Sequence, residues 1–340
     1  MAKVFDNMAS LSGFSKDDFM EFFAVAPELL PGEIGAVLGY LLGRFNSEDA
    51  AAMVSALRER HPQLEVKLAD GRPTVNIVGT GGGPSTFNIT TTAAFVVAAA
   101  GAVVVKTGSN ACRSKSGFAD VAAKLGTLKV AMPWERIQEI VAQVGIAFIP
   151  PSYHVPALGL VIHNLTLPAY RNAALYLNKL GPLLSPVKTQ YRFIGAHSGL
   201  SMEMLAGACR LLGDVPTTLV SSEDGLDEVS TLARTTLVQL MADGSRQDDS
   251  IDPRLLGIDP PSLDALCGYE PAAAAECCEQ ILSGNGTTAQ TDIVALNAGV
   301  VLSCLGLAAD RAAGFQAAMQ ILKDGRALRK LRDLREQVWK

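Results

Sequence analysis

The chain has 340 residues, 49% of them hydrophobic and 19% charged, and this composition excludes a disordered protein. The length allows one large domain or two, at roughly 100–200 residues per domain. The formal net charge is −5. Because a protein that neutralises many phosphates needs an excess of basic residues, non-specific nucleic-acid binding is disfavoured.

The N-terminus and the cysteines predict a cytoplasmic protein. The first residues lack the basic start and the apolar core of a signal peptide. The longest apolar run, Ala93–Val105, has 13 residues, and a membrane-spanning helix needs about 20. The six cysteines show neither C-x-x-C spacing nor the pattern with histidine of a zinc site, so we expect reduced, buried side chains.

The beginning of the chain has the spacing of helices. Pro31 opens one helix, in which apolar residues recur at intervals of three and four from Ile34 to Leu42. Asn46 precedes a second helix, Ala50–Arg60, as its N-terminal cap. These elements predict a helical domain.

The period then changes to that of a strand. Thr74–Val78 is a short β-branched run that ends in a glycine-rich turn, Gly79–Pro84. Sequence compatible with a helix continues to Ala100, and a second apolar strand, Ala102–Val105, follows. This is a strand–helix–strand crossover, whose two strands lie parallel in one sheet.

The same alternation continues towards the C-terminus. We predict strands at Tyr191–Gly195 and Thr217–Val220, and helices at Met202–Leu212, Ser262–Leu266, Ala272–Leu282, Asp292–Leu307 and Ala312–Leu334. The predicted fold is therefore α/β, with a separate all-helical N-terminal domain and a mostly parallel central sheet flanked by helices.

Two turns carry polar groups suited to a phosphate ligand. The first is Gly79–Pro84 with the hydroxyl-rich segment Ser85–Thr92, where glycines let the backbone approach an anion and the following helix presents free N–H groups. The second, Lys106–Asn110, leaves the next strand and is followed by Arg113 and Lys115. Because parallel strands end at the same edge of a sheet, both turns should face one crevice. We interpret it as a site for a ligand with several phosphates; two tight turns with incidental polar residues are the alternative.

Two common motifs do not explain the first turn. It lacks the Gly-Lys-Ser/Thr ending of a P-loop. It also lacks the G-x-G-x-x-G spacing of a dinucleotide site and an acidic residue about 20 positions further on.

A third segment, Ser221–Glu228, is acidic and directly follows a predicted strand. It carries the carboxylates of Glu223, Asp224, Asp227 and Glu228, which repel one another unless a cation lies close. Carboxylate oxygens beside a phosphate site indicate Mg²⁺, which binds few carboxylates and keeps waters and substrate phosphates. A solvated loop that caps the next helix is the alternative.

In combination, these segments resemble the anthranilate phosphoribosyltransferases. The shared features, in the same order from roughly Ser47 to Leu334, are GTGG followed by TFNIT, a Lys-x-Gly turn leading to SKSGFADV, LGPLLSP at Leu180–Pro186, DGLDE at Asp224–Glu228 and TDIVALNAG at Thr291–Gly299. The resemblance implies a helical domain of residues 1–72 plus about 150–185, an α/β domain of residues 73–149 and 186–340, and a homodimer. It also implies transfer of phosphoribose from phosphoribosyl pyrophosphate (PRPP), with Mg²⁺ as cofactor, to an acceptor amine.

The resemblance also assigns site residues. It implies that PRPP is bound by Gly79, Gly82, Gly83, Thr86, Asn88, Thr90, Thr91, Lys106, Gly108 and Ser114. It implies Mg²⁺ binding by Thr90, Asp227 and Glu228. The acceptor is expected to contact Ser109, Asn110, His154, Tyr170 and Arg171. No general base is identified, because a neutral amine attacks with little help.

The chain departs from the family pattern near the acceptor. Gly83 replaces the Asp of GTGGD, and KTGSN at Lys106–Asn110 replaces Lys-His-Gly-Asn-Arg. Phe118 replaces a small residue, and the arginine that holds the anthranilate carboxylate falls near Tyr170 or Arg171. We therefore expect a rewritten acceptor site, with anthranilate or an amine or hydroxyl of a specialised metabolite as the acceptor.

Two other functions compete with this interpretation. A nucleoside phosphorylase of the same broad fold would use a Lys-His-Ser-Thr-Gly-Gly loop, which this sequence lacks. A non-catalytic relative that binds nucleic acid would need a basic groove, and the balance of 29 basic to 34 acidic residues argues against one.

Overall fold

The structure is a computed structural model that describes residues 2–44, 46–108, 115–153, 177, 179–213 and 215–340. Within these residues, no helix combines the length and the apolar character needed to cross a membrane.

The N-terminal part of the chain is helical, as predicted. Its helices are α1 (Ala2–Ala9), α2 (Lys16–Val25), α3 (Pro31–Arg44) and α4 (Ser47–Arg60). The apolar stripe predicted for α3 is buried at Ile34, Val37, Leu38 and Leu41. Asn46 caps α4 because its side chain accepts a hydrogen bond from the Asp49 N–H at 2.8 Å, so this helix begins at Ser47 rather than at Ala50.

A seven-stranded sheet forms the centre of the described residues. In spatial order its strands are β4 (Ile146–Phe148), β3 (Val103–Lys106), β2 (Thr74–Gly79), β6 (Tyr191–Gly195), β7 (Thr217–Ser222), β8 (Thr235–Leu240) and β9 (Arg246–Ile251). The pairs from β4 to β7 are parallel, so β2, β3, β6 and β7 end at the same edge of the sheet. β1 (Leu64–Glu65) and β5 (Val187–Lys188) form a separate parallel pair.

Helices follow or cover these strands. They are α5 (Ile89–Ala99), α6 (Phe118–Lys124), α7 (Trp134–Val144), α8 (Gly199–Leu212), α9 (Pro271–Leu282), α10 (Thr288–Cys304), α11 (Arg311–Lys323) and α12 (Arg326–Trp339). α5 is the predicted crossover between β2 and β3.

Helices α10 and α11 touch backbone to backbone. A Cβ on Gly299 of α10 would lie 2.4 Å from the Phe315 nitrogen, and one on Gly314 of α11 would lie 2.2 Å from the Gly299 oxygen. Two glycines therefore set the distance between these helices.

The two faces of the sheet bury two hydrophobic clusters. Val75 and Ile77 of β2 pack with residues of α5, α10 and α12, whereas Val78 packs with residues of α2, α3, α4 and α8. Successive side chains of a strand point to opposite faces, so the N-terminal helices cover one face and the C-terminal helices the other. The predicted division into two domains stays a prediction, because most of residues 150–185 lie outside the described residues.

Three elements differ from the sequence-based expectation. β8 and β9 form an antiparallel hairpin that the sequence analysis does not contain. Residues Ala312–Leu334, predicted as helical throughout, are divided at Gly325, whose φ of +74° lies in the left-handed region. Ser262–Leu266, predicted as a helix, forms only a short 3₁₀ turn at Leu263–Leu266.

Candidate functional site

The glycine turn (Gly79–Gly83) crosses the ends of two strands. It begins with the last residue of β2, and the Thr80 N–H donates to the Gly195 carbonyl at the end of β6 at 2.8 Å. Gly81 and Gly82 have φ values of +64° and +102°, which favour glycine. The turn therefore leaves the sheet at the carboxyl edge, where ligands of open α/β sheets bind.

The acidic loop (Glu223–Glu228) follows β7 at the same edge and touches the glycine turn. The Gly81 N–H donates to Asp227 Oδ2 at 2.8 Å. A Cβ on Gly79 would lie 2.2 Å from that same oxygen, and one on Gly195 would lie 1.6 Å from the Asp227 carbonyl oxygen. Glycine at both strand ends is therefore what lets the carboxylate approach the turn.

The carboxylates of the acidic loop have different partners. Asp224 accepts hydrogen bonds from the Leu226 N–H at 3.2 Å and the Ser230 hydroxyl at 2.6 Å, so it shapes the loop. Glu228 Oε2 is buried and has no hydrogen-bond partner among the described residues. Glu228 thus differs from Asp224 and Asp227 in having a buried carboxylate oxygen with no partner among the described residues.

Burial raises the pKa values of Asp227 and Glu228. It raises the pKa of Asp227, against the Gly81 N–H and the nearby side chains of His197 and Lys106, which lower it. The pKa of Glu228 is raised well above its ordinary value by burial and then by the neighbouring charge of Asp227. A bound cation would relieve both effects.

Lys106, the last residue of β3, lies beside these carboxylates in the interior. Its side chain is 2% exposed, and its Nζ donates to the Ile77 carbonyl at 2.6 Å and to Thr90 Oγ1 at 3.2 Å. Burial lowers the pKa of Lys106 to about 7, although the charges of Glu228 and Asp227 oppose the decrease.

The first turn of α5 contributes the next group of predicted residues. Asn88 precedes the helix and accepts a hydrogen bond from the Ser116 hydroxyl at 3.1 Å. Thr90 and Thr91 stand in the first turn, where backbone N–H groups have no partner within the helix. Thr90 therefore meets Lys106 across the crevice, as the sequence analysis expects of two turns at one edge.

Two further predicted residues, Gly83 and Gly108, lie close to the acidic loop and to Phe118, respectively. A Cβ on Gly83 would lie 2.4 Å from the Gly225 carbonyl oxygen, so Gly83 touches the acidic loop. A Cβ on Gly108 would lie 2.8 Å from Phe118 Cβ, and Lys106 Nζ lies 5.4 Å from the centre of the Phe118 ring. Thr86 instead pairs with Cys267 in an isolated antiparallel bridge.

The predicted acceptor residues, Ser109, Asn110, His154, Tyr170 and Arg171, lie outside the described residues, as do Ser114 and Arg113. Thr107 is described and is 3% exposed. Its hydroxyl accepts from Asn76 Nδ2 at 2.8 Å.

Three residues near this edge were not predicted from the sequence. Gly195 receives the acidic loop, as described above. The His197 N–H donates to Thr80 Oγ1 at 3.0 Å, and its ring lies 3.4 Å from the position of a Cβ on Gly82. Asn297 of α10 pairs with the backbone of Val229. Only Asn297 had a signal in the sequence, as part of the segment TDIVALNAG.

Oxygen atoms dominate the donors that could hold a metal. In the described part of the chain, no three His, Cys, Asp or Glu side chains converge as a metal-binding group. A site made of the Asp227–Glu228 pair therefore needs further ligands, such as water or phosphate oxygens.

Known proteins are similar to this chain in sequence. Residues 71–328 match the family described as glycosyl transferase family, a/b domain. The anthranilate phosphoribosyltransferase of Deinococcus radiodurans is 37% identical over 279 residues, which cover 82% of this chain and 80% of that protein. The enzyme of the same name from Desulfitobacterium hafniense is 36% identical over 320 residues, 92% of each chain.

Solved structures show the same fold. The anthranilate phosphoribosyltransferase of Thermus thermophilus superposes with a TM-score of 0.85 at 27% identity and covers 99% of both chains. The Saccharomyces cerevisiae enzyme in complex with PRPP and Mg superposes with a TM-score of 0.86 over 99% of this chain and 98% of that one, and at 24% identity it supports the fold alone. These findings confirm the α/β fold class and the phosphoribosyltransferase class expected from the sequence: the chain belongs to the anthranilate phosphoribosyltransferase family.

Proposed function

We propose that this protein transfers 5-phosphoribose from PRPP to an amine or hydroxyl acceptor, with Mg²⁺ and with release of pyrophosphate. One observation carries the proposal: the glycine turn bonds to Asp227 at the strand edge where Lys106 and the unpartnered Glu228 oxygen also lie. The named function of the relatives supports the same reaction.

The crevice has the groups that a pyrophosphate needs. The glycine turn exposes backbone close to the strand ends, and the first turn of α5 presents N–H groups and the positive end of its helix dipole. Lys106 adds an amino group. Burial disfavours its charged form, and a bound anionic ligand would favour it. We therefore place the pyrophosphate of PRPP between the glycine turn and α5.

The residues present also fit Mg²⁺. Asp227 and Glu228 offer carboxylate oxygens, and the buried Glu228 Oε2 lacks any described partner, as expected for a ligand position. Thr90 would add a hydroxyl, which in this structure accepts from Lys106 Nζ. When bound, Mg²⁺ would stabilise the negative charge of the departing pyrophosphate.

The proposed mechanism needs little from the acceptor side. Pyrophosphate leaves as positive charge builds on the ribose carbon, so N–H donors and Lys106 act by stabilising the leaving anion. With an amine acceptor, the nitrogen lone pair forms the bond to the ribose carbon as the carbon–oxygen bond to pyrophosphate breaks, and the nitrogen then releases a proton to solvent. A strong general base is therefore not required for an amine, whereas a hydroxyl acceptor would have to give its proton to a base. The acidic loop and the glycine turn act by holding these groups in place before the donor binds.

The acceptor is the finer part of the proposal. Anthranilate is the first candidate, since the relatives carry that name. A different amine or hydroxyl is the second candidate, because the segment after Lys106 reads TGSN where the family has His-Gly-Asn-Arg. We propose that Ser109, Asn110, His154, Tyr170 and Arg171 contact the acceptor on the basis of the sequence.

A pyrophosphate-release assay tests this function. Purified protein receives PRPP, Mg²⁺ and a panel of acceptors that includes anthranilate, and we expect release that needs all three components. Arg171→Ala should raise the KM for the acceptor more than the KM for PRPP. No release with any acceptor, or cleavage of nucleosides that consumes inorganic phosphate, would contradict the proposal.

A further inference from the structure

Asn297 is a polar residue in an apolar part of α10. It is 2% exposed, and its neighbours Leu296, Ala298 and Val300 are fully buried hydrophobic residues. Burying an amide costs free energy unless all its polar atoms are hydrogen-bonded. An apolar residue would fill the same place in the cluster without that requirement, so packing alone does not explain an asparagine.

The hydrogen bonds of Asn297 are directed at the residue after the Asp227–Glu228 pair. Its Oδ1 accepts from the Val229 N–H at 2.9 Å, and its Nδ2 donates to the Val229 carbonyl at 2.8 Å. A second Nδ2 bond, to the Ile293 carbonyl at 2.8 Å, fixes the amide to its own helix. The side chain therefore binds both polar backbone groups of Val229, as a neighbouring strand would.

This contact fixes the backbone that carries Glu228. The Val229 N–H belongs to the peptide bond that joins Glu228 to Val229, so Asn297 holds the C-terminal side of Glu228. The Gly81 N–H donates to the carboxylate of Asp227, the residue before Glu228. Because Glu228 Oε2 has no hydrogen-bond partner among the described residues, the position of this carboxylate depends on its backbone.

We propose that Asn297 is a positioning residue that holds the Asp227–Glu228 pair ready for the Mg²⁺ complex of PRPP. It acts through the backbone of Val229 and touches neither ligand. The inference rests on the proposed function, since it concerns the same metal and donor site. It adds to that site a residue from α10, which contacts the backbone directly after the Asp227–Glu228 pair.

Two variants remove different parts of the contact. Asn297→Leu removes every hydrogen bond to Val229, whereas Asn297→Asp keeps the oxygen that accepts from the Val229 N–H and loses the donor. Val300→Ala is the matched control, because it leaves a cavity in the same buried helix and no bond to the loop changes. If Asn297→Leu does not fold, Asn297→Asp alone tests the proposal.

The first readout is binding, measured by calorimetry and by the rise in melting temperature with PRPP and Mg²⁺. The second is the Mg²⁺ concentration for half-maximal pyrophosphate release, with kcat and KM for PRPP. Both Asn297 variants should raise the Mg²⁺ requirement, Leu more than Asp, by about 10–100-fold at most, as for groups that orient metal ligands. KM for PRPP should rise with it, while kcat at saturating Mg²⁺ and PRPP changes less.

The control separates positioning from stability. Val300→Ala should lower the melting temperature and leave the Mg²⁺ requirement as in the wild type. If it shifts the requirement as much as Asn297→Leu does, or if the Asn297 variants bind Mg²⁺ and PRPP like the wild type, Asn297 is only structural. A wild-type protein that shows no response to PRPP and Mg²⁺ would instead contradict the proposed function itself.

Discussion

Arg246 and Lys106 are two cations at strand ends of the same sheet, and their surroundings have opposite effects. Arg246 of β9 donates to both oxygens of Glu203 at 2.7 Å and to Asp248 at 2.7 Å. These bonds raise the pKa of Arg246, and in turn the bond from Arg246 lowers the pKa of Glu203. Burial instead lowers the pKa of Lys106 to about 7 and raises those of its neighbouring carboxylates.

The two clusters differ in how far their charges are compensated within the protein. At β9, hydrogen bonds and opposite charges favour the charged forms of Arg246 and Glu203, and both side chains are partly exposed to water. Around Lys106, burial disfavours the charged forms and the partners inside the protein compensate incompletely. In the proposed function, PRPP with Mg²⁺ would bring the opposite charges that the Lys106 cluster lacks.

Neutralising the buried carboxylates should have the largest effect. In the double variant Asp227→Asn with Glu228→Gln, Mg²⁺-dependent pyrophosphate release should fall by about 10²–10³-fold, as when a group that stabilises the transition-state charge is removed. PRPP with Mg²⁺ should no longer raise the melting temperature. Both are measured by the release assay and by thermal unfolding.

The same variant has an opposite effect on the ligand-free protein. Because the folded state raises the pKa of both carboxyl groups, their contribution to stability is present at low pH and is lost as the pH rises through the folded pKa. Without ligand at neutral pH, the double variant should therefore have a melting temperature equal to or higher than that of the wild type. Asp243→Asn is the exposed control, and unchanged turnover in the double variant would refute the metal assignment.

Lys106→Met should remove a pH dependence of stability. The folded pKa of about 7 lies below the ordinary lysine value of 10.5, so folding releases a proton and the stability of the wild type rises with pH between these values. Below pH 7, the free energy of unfolding of Lys106→Met should therefore exceed that of the wild type by the largest amount. This excess should be on the order of a few kcal/mol, at about 1.36 kcal/mol per pKa unit. It should shrink as the pH rises towards 10.5.

Urea unfolding across this pH range measures that difference. Lys67→Met, at an exposed lysine, is the matched control. A difference between Lys106→Met and the wild type that is constant with pH would show that Lys106 keeps its full charge in the fold. The variant should also bind PRPP more weakly, because it has lost a cation of the crevice.

Arg246→Met should have the smallest effect. The partners of Arg246 are exposed, so its loss should lower the free energy of unfolding by under about 1 kcal/mol. High salt should reduce the difference further, since salt screens exposed charges. Urea unfolding at two salt concentrations measures it, and a change in phosphoribosyl transfer would mean that the two clusters are coupled.

The sequence predicted the elements that follow local rules. The crossover from Thr74 to Lys106 was correct because a β-branched run, a glycine turn and an apolar helix follow one another along the chain. β9 was missed because its first five residues, RQDDS, are polar and exposed, so no apolar alternation marks the strand.

The separate segments of the candidate site could be predicted from the sequence, but some of the contacts between them could not. The glycine turn and the acidic loop were each identified, as were Lys106 and Thr90. The bond from the Gly81 N–H to Asp227 was not predicted, nor was the pairing of Asn297 with Val229. Both depend on tertiary structure, the first on the absence of a side chain at Gly195. The predicted acceptor residues stay a prediction, since they lie outside the described residues.

The glycine pair between α10 and α11 makes the site sensitive to distant substitutions. Gly299 lies two positions after Asn297 on α10, and its oxygen would be 2.2 Å from a Cβ on Gly314. Even an alanine at Gly314 must push the two helices apart, and α10 would carry the Asn297 amide away from Val229. In a mutational scan for lost activity we therefore expect hits at Gly314, a position in a different helix from the residue that holds the acidic loop.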